Sequence, residues 1–174
     1  MKTALLIIDV QKAMDHPKWG ERNNPDAEEV MKRMLDWVRS ENWPVFHIQD
    51  CSSDPSSPYR AGQPLHNFKD EVKPTGGETI IQKTTGNAFY GTELDAVLKA
   101  EQISKLVIMG VHTQHCVRAT VEAAIENGYE ISVLADAVVA TAMNGMSADS
   151  VQEKILTKFE EMNVKINYLS DFIT

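Results

Sequence analysis

"KLVIMGVHTQHCVRATVEAAIENGYEISVLAD", residues 105–136, holds a complete strand–helix–strand pattern. The run 105–111 is short, apolar and rich in β-branched residues, as strands buried on both faces are. A helical pattern begins at about His115 and stops at Asn127-Gly128, a good C-terminal signal. A second apolar run, 130–136, follows at once. Two strands joined by a helix make a right-handed crossover, so this stretch predicts a parallel α/β sheet.

The rest of the chain repeats the pattern. Further strands are predicted at "ALLIIDV" (4–10), "PVFHIQD" (44–50), "TIIQK" (79–83) and "VKINYL" (164–169). A helix is predicted over 25–40, with Pro25 suited to its first turn and Val30, Met34, Leu35 and Val38 on one stripe. Another begins near Thr92, which with Asp95 approximates a capping box and sets Leu94, Val97 and Leu98 toward the sheet. A last one covers about 147–161. The exception is 51–78, a stretch rich in Pro, Ser and Gly without a clear period; a loop of this length is usually functional or mobile. The expectation is one domain over residues 1–174.

Composition narrows the function. The chain has 174 residues, 43% of them hydrophobic and 24% charged, as in an ordinary globular protein. Its net charge of −8 argues against a phosphate-backbone binder, so no nucleic-acid partner is expected. No apolar run approaches the ~20 residues of a membrane span. "ALLIIDV" is too short and too close to Met1 for a secretory signal, so the expectation is a cytoplasmic protein with no membrane partner. Two cysteines, Cys51 and Cys116, do not make a disulfide framework.

In open α/β sheets ligands bind beyond the carboxyl ends of the strands. Asp9, Asp50, Lys83 and Asp136 fall at such ends, and Cys116 follows one by a turn. A helix N-terminus favours thiolate, and its N–H groups can hold an oxyanion. Cys116 therefore reads as a nucleophile or as a small buried core residue. Asp9 closes an apolar run, where a desolvated carboxylate could take a thiol proton; a loop-capping role is equally open. Lys83 could steady both charges or be a surface lysine. His112 and His115 flank the cysteine; His112 reads mainly as a backbone donor, His115 as a helix-start residue and His47 as a core histidine. Phe89 and Tyr90, in the turn between Gly86 and Gly91, could wall a pocket or pack in the core. Arg60 and His66 in the long loop could meet a polar head group or simply lie at the surface.

Three motifs, in order, resemble the isochorismatase-like cysteine hydrolases: "LLIIDVQ" with Asp9 and Gln11, "KTTGNAFYGTEL" with Lys83, and "GVHTQHCVRATVEAAIENGYEISVLADA" with Cys116. The resemblance covers nearly the whole chain. It implies a Rossmann-like three-layer fold with six parallel strands in the order 3-2-1-4-5-6 and helices on both faces. It implies a catalytic Asp9, Lys83 and Cys116, and a cis peptide before His112 that turns the backbone N–H groups of His112 and Cys116 toward an oxyanion. It adds Gln11 to the candidate substrate contacts, beside Phe89, Tyr90, Arg60 and His66. The implied reaction is hydrolysis of a small amide or carbamoyl compound through a thioester, without a cofactor, in a homo-oligomer such as a dimer or tetramer. The alternatives are an isochorismatase-type ether hydrolase, which does not depend on this cysteine, and a binding protein on the same fold.

Nicotinamidases of this group carry Asp-x-His after the second strand as part of a metal site. Here the stretch reads "QDCSSDP", with Ser52 in the histidine's place. A serine hydroxyl is a poor substitute for imidazole, so no metal is expected. A joint site from Cys51, Asp54 and His66 is the remaining possibility.

Overall fold

The structure, a computed structural model, describes residues 2–173. Six strands form one sheet: β1 (Lys2–Ile8), β2 (Val45–Asp50), β3 (Thr79–Lys83), β4 (Ile103–Val111), β5 (Glu130–Val139) and β6 (Lys165–Asn167). Their order is β3-β2-β1-β4-β5-β6, and every pairing is parallel, as the resemblance implies. The reversal of direction lies beside β1, between β2 and β4, so β1 carries its last residues into the crevice of a doubly wound sheet. No helix among the described residues is long and apolar enough to cross a membrane.

The alternation of β1 explains the layers. Leu5 and Ile7 join one apolar cluster with Met31, Met34, Leu35 and Val38 of α1 (Ala27–Ser40). Ala4, Leu6 and Ile8 join the other. That second cluster includes Leu94 and Leu98 of α2 (Leu94–Ala100), Val121 and Ala124 of α3 (Arg118–Glu126), and Ile155 and Phe159 of α4 (Ala148–Glu161). Both sheet faces are thus covered, which is why the central strands β1 and β4 read as unbroken apolar runs.

Several boundaries differ from the sequence reading, each for a local reason. β1 stops at Ile8 because Asp9 takes φ 56, outside the strand region. β5 runs on to Val139 after a register shift against β4 between Ile108 and Gly110. Asp136 therefore lies within β5, where it accepts the Leu169 N–H at 3.1 Å. The proposed Thr92–Asp95 capping box does not form. Thr92 accepts the Leu94 N–H at 3.3 Å, while Asp95 pairs with Lys99 at 2.6 Å and accepts the Tyr129 hydroxyl at 2.8 Å. The long loop is anchored by buried Tyr59 and Val72. His47 is a buried residue of β2, with Nε2 2.9 Å from Glu78.

Gly110 is where β4 meets the end of β1. Its φ is +132, and a Cβ added there would lie 2.2 Å from the Ile8 carbonyl oxygen. No ordinary side chain fits that approach, and the conformation itself favours glycine. Gly110→Ala is expected to lower stability by roughly 2–4 kcal/mol, read as a fall in the denaturant midpoint. An unchanged midpoint would mean that β1 and β4 can separate there without penalty.

Candidate active site

Three strand ends deliver three charged groups to one point. Asp9 follows β1, Asp50 ends β2, and Lys83 ends β3 directly opposite Asp50 in the β2–β3 register. The fourth group comes from beyond β4. The Val111–His112 peptide is cis, and a wide π-type turn, Thr113–Val117, carries Cys116 before α3 begins. Inside this cluster Lys83 Nζ is 2.9 Å from Asp9 Oδ2, 3.4 Å from Asp50 Oδ2 and 3.4 Å from Cys116 Sγ. Cys116 Sγ and one oxygen from each of Asp9 and Asp50 lie within 4.8 Å of one another. Asp9 and Lys83 are each only 2% exposed, so neither is a surface group.

Burial sets the protonation states. It pushes the Asp9 carboxyl up to about 6, with the Lys83 charge opposing and the Asp50 charge adding to the rise. Burial alone would lower the Lys83 ammonium, but the neighbouring acids, Asp9 first, overcome it and hold the proton well above the usual lysine range. The Cys116 thiol is pushed far up, first by burial and then by the Asp9 charge, with Lys83 offsetting only part. This reverses the expectation of a thiolate favoured by the helix. A helix terminus contributes only ~0.3–1 kcal/mol, and here desolvation and the adjacent Asp9 charge outweigh it. At pH 7 these shifts favour a neutral Cys116 thiol beside the Asp9 carboxylate.

The backbone around the thiol is specifically held. The Gln114 amide donates to Thr141 Oγ1 at 2.8 Å and to its carbonyl at 3.1 Å. The Thr113 hydroxyl donates to Gln152 Oε1 at 3.2 Å. The His112 carbonyl accepts from His115 and Val117, while the His112 N–H has no hydrogen-bond partner among the described residues. Burial, with the His115 and Arg22 charges, lowers the His112 imidazole to about 4, so it is neutral at pH 7.

The remaining candidates divide. Gln11 is fully buried: its Oε1 accepts the Asp50 N–H at 2.9 Å, and its amide donates to the carbonyls of Asp50 at 3.1 Å and His66 at 2.8 Å. With both ends engaged on backbone, it braces the Asp50 segment. Phe89 packs on Tyr129, ring centroids 5.8 Å apart, as part of the core. Tyr90 is 70% exposed, and Arg60 is exposed on the long loop. His66 turns its Nε2 to Cys51 Sγ at 3.2 Å.

Two aromatic residues escaped the sequence reading. Tyr59 is buried, and its hydroxyl donates to the Asp9 carbonyl at 3.5 Å. Trp19 donates its Nε1–H to the Ala13 carbonyl at 2.8 Å, and its ring lies 5.1 Å from His112 and 5.9 Å from Tyr59, centroid to centroid. Both sit in stretches without period; an aromatic inside an otherwise polar loop was the available signal.

The donor set does not suit a metal ion. Asp9, Asp50 and Cys116 form the one group of three close donors among the described residues, but Lys83 Nζ already contacts all three. Cys51, Asp54 and His66 do not gather: Asp54 caps Ser56, accepting its N–H and hydroxyl, each at 2.8 Å.

A doubly wound parallel sheet with a half-buried thiol, a buried carboxylate and a buried ammonium gathered at its ligand edge defines the class: a Rossmann-like α/β domain with a candidate nucleophile site in its crevice. Comparison with known proteins makes this specific. The chain belongs to the isochorismatase family of hydrolases, its residues 3–160 matching the isochorismatase domain. It is 41% identical over 142 residues to the isochorismatase family protein YrdC of Bacillus subtilis, covering 82% of this chain and 76% of that one. It is 40% identical over 148 residues to an N-carbamoylsarcosine amidase of Arthrobacter sp., covering 74% of this chain and 56% of the amidase. The crystal structure of an isochorismatase-family protein from Chromobacterium violaceum superposes with a TM-score of 0.92 at 39% identity, covering 98% of this chain and 91% of that one.

Proposed function

We propose that the chain is a cysteine-dependent hydrolase that cleaves the C–N bond of a small amide or carbamoyl compound through a thioester on Cys116. The observation that carries this reading is the convergence of the Cys116 thiol, the Asp9 carboxylate and the Lys83 ammonium in one buried cluster. The similarity to an N-carbamoylsarcosine amidase supports carbamoyl and amide substrates over the vinyl ether of isochorismatases proper.

In this mechanism Asp9 takes the thiol proton as sulfur attacks the carbonyl carbon. The oxyanion faces the backbone N–H groups of His112 and Cys116; the former has no competing partner. Asp9 returns the proton to the leaving nitrogen, and the C–N bond breaks to give the thioester and an amine or ammonia. Water then adds to the thioester with Asp9 again as base, and the thiol leaves reprotonated. Lys83 keeps its charge throughout and steadies the carboxylate and the transient thiolate.

The test is a panel of amides, ureas and carbamates, with isochorismate included, assayed with wild type and scored for ammonia or amine release and for acyl mass on the Cys116 peptide. Conversion of isochorismate alone, with no adduct on the peptide, would defeat the amide reading.

A pH dependence follows from Asp9. Only the ionised carboxylate accepts a proton, so kcat/KM is expected to fall tenfold per unit as pH drops below about 6. A profile flat down to pH 4.5 would remove Asp9 from the base role.

A further inference from the structure

Lys83 serves two carboxylates, and the reaction above uses only one. We propose that Asp50 is a positioning residue that keeps Asp9 a competent base: it shares the Lys83 ammonium, holds it between Asp9 and Cys116, and prevents a one-to-one ion pair from neutralising Asp9. The proposal rests on the reading of Asp9 as proton acceptor.

The geometry carries it. Asp50 and Lys83 are register partners at the ends of β2 and β3, so their side chains leave the sheet side by side. The Asp50 backbone is fixed on both sides by Gln11, and the next residue, Cys51, donates its N–H to the Lys83 carbonyl at 2.8 Å. An ammonium has three protons, and Lys83 has an acceptor for each: Asp9, Asp50 and Cys116. That leaves Asp9 Oδ1 and Asp50 Oδ1 buried without a partner. The cluster therefore has more acceptors than protons to fill them. Two carboxylates around one ammonium leave an excess negative charge, which favours proton uptake. With Asp50 neutral, Lys83 would face Asp9 as its one counter-ion, and Asp9 would be the weaker base.

The groups facing Asp9 are few. Lys83 comes from β3, Asp50 from β2, Cys116 from the turn before α3, and Tyr59 from the long loop; Cys51 lies just beyond Asp50. Burial, and then the Asp9 charge, push the Tyr59 hydroxyl well above its usual range, and burial raises the Cys51 thiol. Neither ionises as Asp9 titrates. Asp50 is thus the one negative charge near Asp9 that substitution can remove without touching nucleophile, base or ammonium.

The test reads Asp9 directly. Protein labelled with [4-13C]aspartate is titrated by NMR, the Asp9 resonance being assigned by its loss in Asp9→Asn. Asp50→Asn is expected to move the Asp9 midpoint down by about one pH unit. Asp50→Glu, which restores the charge, is expected to bring it most of the way back. If Asp50→Asn does not fold, Asp50→Ser removes the same charge with a smaller side chain. An unchanged or raised midpoint in the neutral variant, or a Glu variant that behaves like Asn, overturns the proposal. A merely structural role would change the fold or the rate but not move this midpoint and restore it with charge. No substrate is needed, so the outcome is separable from the amide reading: a chain that shows the shift and hydrolyses no amide fails only the latter.

Discussion

Cys116→Ala is expected to reduce amide turnover by on the order of 10⁴-fold or more, to the background of the uncatalysed reaction. No other thiol in the cluster can take over. Cys51 is held against His66 at 3.2 Å, and its raised thiol, like that of Cys116, would need a base to activate it. The substitution removes one sulfur from a half-buried position, so the fold should survive. Circular dichroism and the thermal midpoint serve as the control, and ammonia release is the readout. Residual activity within tenfold of wild type would exclude a thioester on Cys116.

Asp9→Asn is expected to lower kcat by about 10²–10⁴-fold, the usual contribution of a positioned general base. Asparagine suits this position because Asp9 has φ 56, and Asn is among the few residues that tolerate the left-handed region. The amide keeps a carbonyl oxygen for Lys83 but cannot accept the thiol proton at neutral pH. Because the thiol is pushed far up in the folded protein, the loss should be partly recovered as pH rises toward 9 or 10. A variant with wild-type kcat at pH 7 would require another base and would leave the convergence at Lys83 without its proposed meaning.

Much of this architecture is legible before any coordinates. Strands β1, β2 and β4 are marked by apolar runs buried on both faces, which leave little polar alternation to confuse them, while the edge strand β3 alternates between buried and exposed residues. Asp9 and Lys83, like Asp50 and Asp136, stand where such runs stop, and Cys116 lies a turn beyond one; it is the resemblance that implies Asp9, Lys83 and Cys116 as a set. The protonation state of Cys116 could not be read this way. It depends on how deeply the turn after β4 is buried and on how close Asp9 comes, both products of tertiary contact. Gln11 enters the list of candidate contacts only through the resemblance. That its amide would close on the Asp50 and His66 backbone, across separations of 39 and 55 residues, is not encoded locally. The Asp50–Lys83 pairing is similar, since it needs the β2–β3 register and not merely the two strand ends.

The neutral resting state of Cys116 also bears on chemical survival. Peroxide and electrophiles attack thiolates far faster than thiols. A nucleophile kept permanently ionised would be exposed to sulfenic acid formation between turnovers. In the mechanism proposed above, the sulfur would hold its proton until the Asp9 carboxylate draws it away during attack on a carbonyl carbon. In the proposed reaction, the same burial that slows ionisation would also slow oxidation of the sulfur between turnovers.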